Sequence, residues 1–174
     1  MTQKVSDEKL GEFARRQNDW FRRVREGSLD PDEVAQAVQQ IIDRPYFQRD
    51  MRKEGWELVE DVEGTQFLSP HQLELVPFLF KGENYIKGEE LVERAKKMQA
   101  NLGQRQAEYL LDHRYEIPEE WRQYYIVFPG TFWRDHYGYR NFPYLYWDGE
   151  RWDLNFDWIV FVFISPVRLL RPRE

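Results

Sequence analysis

The segment that decides the fold reads Tyr144-Leu145-Tyr146-Trp147-Asp148-Gly149-Glu150-Arg151-Trp152-Asp153-Leu154-Asn155-Phe156-Asp157-Trp158. Beyond Asp148-Gly149, Trp152, Leu154, Phe156 and Trp158 point one way and Arg151, Asp153, Asn155 and Asp157 the other, the period of two that defines a half-buried strand. Asp-Gly between two such runs marks a hairpin, because glycine tolerates the positive φ of a tight turn.

Working outward, 16 of the chain's 29 aromatic residues fall between Tyr124 and Phe163. Tyr124 to Phe128 reads as a strand, Pro129-Gly130 as a turn and Thr131 to Trp133 as a second short strand. Ile159 to Ile164 is apolar at every position, which predicts a strand covered on both faces, by helices or by another molecule. Ser165-Pro166 breaks the run, and Val167 to Leu170 forms a short last strand.

Upstream, Leu91, Ala95, Met98 and Leu102 keep helical spacing until Asn101-Leu102-Gly103, and Gln104 to Asp112 makes a second helix with Ala107, Leu110 and Leu111 as its contacts. Gly55 to Val59 and Gln72 to Val76 alternate like strands, separated by turn signals at Gly64 and Ser69-Pro70. At the N-terminus Ser6 caps a helix whose Leu10, Phe13, Ala14, Trp20, Phe21 and Val24 share one arc. Gly27 stops it. Asp30 then caps a second helix with Pro31 at its first position, Val34, Val38, Ile41 and Ile42 as its stripe, and Pro45 as its end. These two helices read as a hairpin that needs a surface to pack on, since helices this short owe their stability to tertiary contacts.

The expected fold is therefore α+β: a helical leader (1–54, a hairpin) before an α+β domain (55–174) whose antiparallel sheet carries the helices of residues 88–122 on one face. The 174 residues, 41% hydrophobic and 32% charged, suit one sizeable core. No apolar run is long enough to cross a bilayer and the opening residues lack a signal-peptide pattern, so the expected location is the cytoplasm. The absence of cysteine removes disulfides and thiolate chemistry.

Net charge is −6, and the surplus of acid lies after residue 54. That weakens a nucleic-acid reading, which needs basic side chains to displace counterions from phosphate, and favours a basic partner. Arg15, Arg16, Arg22 and Arg23 line one helix face, but Glu12–Arg16, Asp19–Arg23 and Arg22–Glu26 are spaced as ion pairs. The helix-turn-helix outline of residues 88–114 holds five basic and five acidic residues, with Glu108 and Asp112 on the would-be reading helix.

Gly88-Glu89-Glu90-Leu91-Val92-Glu93-Arg94-Ala95, Ile117-Pro118-Glu119-Glu120-Trp121-Arg122, Phe128-Pro129-Gly130-Thr131 and Tyr146 to Trp152 together resemble a group of small uncharacterised bacterial proteins, and Val24 to Pro31 looks like the leader found before related carboxyl-terminal regions. The resemblance implies a helical leader followed by an α+β domain. The group has no assigned activity, so it brings no catalytic residues.

Chemistry is thinly signalled. His71, His113 and His136 have no metal-ligand spacing, and the chain lacks GxGxxG, GxxxxGK[ST] and GxSxG, so neither metal nor cofactor is expected. Asp135 beside His136 is the one general-base pattern, set in a polar loop where an ordinary solvated histidine is the simpler reading. Asp153 and Asp157 lie about 13 Å apart along a strand, too far for a glycosidase pair, and read as a solvent face, paired with Arg134 or Arg151. The aromatic residues Trp133, Tyr137, Tyr139, Phe142, Tyr144 and Tyr146 are the candidate binding surface, because one helical layer cannot hide the whole cluster and Tyr and Trp make good interface anchors. The leading expectation is a non-catalytic protein-interaction or regulatory module with another protein as partner. The alternatives are an enzyme using Asp135 and His136 in a cleft, and nucleic-acid binding through the helix-turn-helix-like pair.

Overall fold

The computed structural model describes residues 6–42, 46–62 and 67–173, without the side chains of 40–42. The expected turn at Gly64, the helix stop at Pro45 and the side chains of Ile41 and Ile42 lie outside the described residues. The chain divides into two compact units, residues 1–45 and 46–174. Among the described residues are four α-helices and nine strands, a mixed fold with a curled, mostly antiparallel sheet.

The first unit contains α1 (Asp7–Arg25) and α2 (Pro31–Ile42). Their ends obey the sequence signals. The Ser6 side chain accepts from the Lys9 amide, Gly27 adopts φ 72°, and the Asp30 carboxylate accepts from the amides of Asp32 and Glu33 at 2.8 and 3.1 Å. Glu12–Arg16 and Arg22–Glu26 pair as expected, whereas Asp19 takes Arg22 in place of Arg23.

The second unit begins at Tyr46, not after Glu54. Sequence inspection passes residues 46–54 over as polar, but Phe47 and Met51 are buried against Trp133, and the Glu108 carboxylate accepts the amides of Gln48 and Arg49 at 2.9 and 3.0 Å. Two apolar anchors and a buried acceptor are enough to bind this segment to the domain.

Its sheet comprises β1 (Glu57–Asp61), β2 (Leu73–Val76), β4 (Tyr125–Val127), β5 (Thr131–Arg134), β6 (Arg140–Trp147), β7 (Trp152–Trp158) and β9 (Val167–Pro172), while β3 (Tyr85–Lys87) and β8 (Val162–Ile164) form a separate pair. The Asp148-Gly149 hairpin is β6–β7, with full pairing from Asn141–Trp158 to Trp147–Trp152. Gly149 has φ 107°, and Asp148 accepts the amides of Glu150 and Arg151, both at 2.8 Å.

Pro129-Gly130 does not fold β4 and β5 into a hairpin. Ile126 lies opposite Leu145 and Trp133 opposite Asn141, so both strands run along the same edge of β6. Between those points the chain advances seven residues while β6 steps back four, an interruption within one line of pairing. The parallel neighbour β9 flanks the first half and antiparallel β1 the second. At the break a Cβ on Gly130 would stand 2.2 Å from the Asn101 carbonyl oxygen, so only glycine lets the chain approach and donate to Leu102 O at 3.0 Å.

The helices α3 (Gly88–Lys97) and α4 (Gln104–Asp112) do not share one face. Alternate residues of the same strands sort into two clusters: Val76, Val127, Phe132, Phe142 and Leu169 with Leu91, Val92 and Ala95 of α3, and Leu73, Ile126, Phe128, Leu145, Leu154 and Leu170 with Ala107 and Leu110 of α4. Strand alternation makes these the two faces of the sheet. With apolar clusters on both faces of the sheet, and a third around Phe47, Met51 and Trp133, the domain hides more aromatic side chains than a single helical layer allows.

Candidate functional site

The Asp135 carboxylate is hydrogen-bonded to groups other than the His136 ring. Asp135 is buried, and its carboxylate accepts from the amides of Tyr137 and Tyr139 at 2.9 and 3.0 Å, from Asn141 Nδ2 at 3.2 Å and from Trp158 Nε1 at 2.9 Å. Burial alone would raise its pKa, yet these donors together hold it below the usual carboxylate value. It is the fastening of the β5–β6 loop and of Trp158. His136 is exposed and stands against Gly55, where a Cβ would meet its Cε1 at 2.7 Å. Among the described residues no cluster of His, Asp and Glu is arranged to hold a metal ion, and no helix is long and apolar enough to cross a membrane.

The would-be reading helix α4 is occupied by the fold. Gln104, Gln106, Ala107, Glu108 and Leu110 are buried, Arg105 pairs with Asp61 at 3.0 Å, and Glu108 is bound to Gln104 as well as to the 48–49 backbone.

Of the six aromatic candidates, Trp133 and Phe142 are fully buried and belong to the core. Trp133 packs edge-on against Phe47 and donates through Nε1 to Gln104 Oε1 at 2.6 Å, and Phe142 packs against Phe132 and Phe163. Tyr137 and Tyr139 lie exposed on the β5–β6 loop. Tyr144 and Tyr146 are half-buried on β6 and form with Tyr125 a ladder of rings whose centroids lie 5.7–6.3 Å apart.

That ladder borders an apolar groove of about 390 Å³ lined by Tyr125, Val127, Tyr144, Asp157, residues 161–164, Pro166 and Val167. The apolar run Ile159–Ile164 supplies its rim through residues 161–164. It is not a strand covered on both faces: β7 ends at Trp158, Ile159 and Phe163 turn into the core, and Val160, Phe161, Val162 and Ile164 are exposed. Tyr139, Trp158 and Phe161 extend the rim as a chain of ring contacts, at 5.6 and 5.3 Å. Trp158, expected in the core from its alternation with Leu154, is instead part of this surface.

One charged group lines the groove. Asp157 stands opposite buried Phe142 in the hairpin register, and burial raises its pKa while the Trp158 amide only partly offsets the shift. The tyrosine hydroxyl of Tyr144 is likewise raised, first by burial and then by the charge of Asp157. The expected partners of this strand face are engaged elsewhere, Arg134 with Glu57 and Arg151 with Asp148. Asp157 accepts the amide of its own neighbour Trp158 at 2.8 Å, and among the described residues no cation pairs with it.

The same device repeats along β7: Asp153 accepts the Leu154 amide and Asn155 the Phe156 amide, each at 2.9 Å. Among the described residues strand β7 pairs with β6 alone, and these side chains cap amides along its other edge, where Arg49 also donates to the Leu154 carbonyl, which discourages a further strand from adding there. The groove beside it is an accessible apolar feature of the second unit. Sequence reading missed Asp157 as a site residue because it was weighed only as a partner for Asp153. The signal was present in the exposed apolar run that follows it.

Compared with known proteins, the chain matches no family model, and no curated protein or solved structure is similar enough to count as a match.

Proposed function

We propose that this protein is a non-catalytic interaction module whose groove receives a segment of another polypeptide presenting apolar side chains around one lysine or arginine. The observation that carries the reading is Asp157, a half-buried carboxylate inside an otherwise apolar groove, with which no cation pairs among the described residues. A desolvated charge lacking a counter-ion is costly, and an incoming cation relieves that cost while apolar neighbours cover Phe161, Val162 and Ile164. Tyr125 and Tyr144 supply rigid amphipathic contact area, as interface anchors do. The acidic balance of the chain favours the approach of a basic segment. The leader, read as a helical hairpin of α1 and α2, is a separate element of the same module.

The test is selection of a random-peptide display library on the full chain, followed by affinity measurement on the chain and its Asp157→Asn and Phe161→Ser variants. Enriched peptides carrying a basic residue flanked by Leu, Phe or Val, weakened by both substitutions, are the expected result. Enriched peptides with no basic residue, or binding indifferent to both substitutions, would overturn the proposal.

A further inference from the structure

Strand β8 has a free edge that looks into the groove. Among the described residues it pairs with β3 alone, and residues 161–164 line the groove whereas Tyr85, Ile86 and Lys87 of β3 do not. The pairing fixes where the backbone groups of β8 point. Gly88 donates to the Phe161 carbonyl at 3.1 Å, and the register continues through Lys87–Val162, Ile86–Phe163 and Tyr85–Ile164. Hydrogen-bonded and non-hydrogen-bonded pairs alternate in an antiparallel ladder. Phe163 therefore turns its amide and carbonyl to β3, while Val162 and Ile164 turn theirs away from β3, towards the groove. Along β7 the side chains of Asp153, Asn155 and Asp157 cap such an edge. Val162, Phe163 and Ile164 have no polar side-chain atom with which to do so, and an uncapped apolar edge is a template for a further strand.

The side chains suit the same guest. Phe163 is 3% exposed, Val162 and Ile164 53% and 50%, so a strand laid beside β8 sends every second side chain the way of Phe163, which clusters with Val127 and Tyr144, and the others outward beside Val162 and Ile164. The two ends of the groove differ. Phe161 meets the ring of Trp158, the neighbour of Asp157, at 5.3 Å, whereas the Tyr125 amide donates to the Pro166 carbonyl at 3.1 Å beyond the other end of β8. A guest strand thus finds a carboxylate at the Phe161 end and tyrosine rings at the Ile164 end. A second copy of β8 brings no cation to that carboxylate, because residues 159–166 hold no charged side chain and the nearest basic residue in sequence, Arg168, is bonded to the carbonyls of Ser165 and Val167. Charge complementarity selects a foreign basic segment.

We propose, resting on the reading of the groove as a polypeptide site, that the guest binds as an extended strand antiparallel to β8, exchanging backbone hydrogen bonds with Val162 and Ile164. Its lysine or arginine follows by two residues the apolar side chain that faces Tyr144. Antiparallel pairing is the more stable per residue. The probe is the peptide acetyl-Thr-Val-Leu-Val-Lys-Thr-amide, whose valines fall opposite Ile164 and Val162, leucine opposite Phe163 and lysine opposite Phe161. At saturation on the full chain it should slow amide hydrogen exchange at Val162 and Ile164 by at least about tenfold, leaving Phe163 within about twofold. Methylating both valine nitrogens should weaken binding by at least about tenfold, and methylating the leucine nitrogen, which points away from β8, by less than about threefold. A peptide that binds equally in all methylated forms, or that leaves Val162 and Ile164 unprotected, would overturn strand addition while the groove remains a side-chain site. So would failure of the peptide to bind where 4-phenylbutylamine binds the chain more tightly than its Asp157→Asn variant. Failure of both probes would overturn the groove reading and strand addition together, and a dimer of the free chain in sedimentation, with Val162 and Ile164 protected, would give the edge to a second copy and overturn the foreign guest.

Discussion

Replacing Asp157 by asparagine should make the protein more stable and a poorer binder at once. The amide keeps the shape of the carboxylate and retains an oxygen for the Trp158 amide, so the cap on the β7 edge survives. What disappears is a negative charge held opposite Phe142 and beside Tyr144. Because burial raises the folded-state pKa of Asp157 above its unfolded value, the folded chain holds this proton more tightly. The associated stability is present in full below the ordinary aspartate pKa and is lost as pH rises through the raised value. The variant lacks that loss. Its advantage is therefore smallest in acid, grows through the window above the ordinary aspartate range, and levels off near neutrality. Water still reaches part of the carboxylate, which screens the effect to below about 1 kcal/mol, a rise in Tm of about 2–4 °C at most for a domain of this size.

Binding should move the other way. A cation about 4 Å from a carboxylate gains about 1 kcal/mol in water and about 4 kcal/mol near a protein surface, and a half-buried site falls between these limits. Loss of the charge should weaken a probe such as 4-phenylbutylamine by about tenfold, while the neutral 4-phenylbutanol should bind both proteins alike. Paired thermal melts from pH 4 to 8 and titrations followed by chemical shifts of Tyr125, Tyr144 and Phe161 supply both readings. A variant less stable than the parent at neutral pH, or equal discrimination between amine and alcohol by both proteins, would refute the assignment of Asp157 as an unpaired, partner-seeking charge.

Glu108→Ala should cost about 2–3 kcal/mol in urea denaturation, because it leaves the amides of Gln48 and Arg49 without their acceptor, and hydrogen exchange should rise first in residues 46–54. Gly130→Ala should cost about 2–3 kcal/mol through the clash with the Asn101 carbonyl, read from the same denaturation curves. Asp135→Ala should loosen the Tyr137–Tyr139 loop and the indole of Trp158, visible as a change in tryptophan fluorescence, whereas His136→Ala should alter stability by less than about 0.5 kcal/mol. Lowering pH should release the 77–84 loop from α3: Arg94, bonding first through its side chain to Glu83, holds the Glu83 carboxyl down to about 2. The stability gained from that pairing is thus complete above the ordinary glutamate range and lost as pH falls towards that value, and an NMR titration of the Glu83 carboxyl checks it.

Which parts of the molecule were legible in the sequence follows from how local their causes are. Ser6, Gly27, Asp30 and Asp148-Gly149 act within a few residues of themselves, and each does in the structure what its spacing announces. The start and end of α4 were equally plain, because Gly103 and the period of Leu110 and Ala107 sit inside the element. The causes that escaped are distant in sequence. Phe47 and Met51 look like stray apolar residues in a polar stretch until Trp133 is placed beside them. Pro129-Gly130 carries the composition of a turn, yet whether the chain reverses there or continues along the same edge depends on β6, which pairs with both sides. The division of the helices between two faces was hidden for the same reason: Ile126 and Val127 are both apolar, and strand alternation alone does not say that both faces are covered.

The candidate site shows the limit most clearly. Alternation along Trp152–Trp158 assigned the acids and Asn155 to a solvent face, and Asn155 is indeed exposed, while Asp157 is half-buried. What changed its meaning is the line of neighbours on the same face, Phe142 opposite it and Phe161 to Ile164 beyond it, a juxtaposition set by the break of β7 at Trp158 and the return of the chain into β8. The amide of its own successor, Trp158, is a hydrogen bond that only partly offsets the burial of Asp157. Asp153, Asn155 and Asp157 cap the amides of the β7 edge, where Arg49 also donates to the Leu154 carbonyl, and they leave one carboxylate of the hairpin facing an apolar groove with no cation paired to it among the described residues.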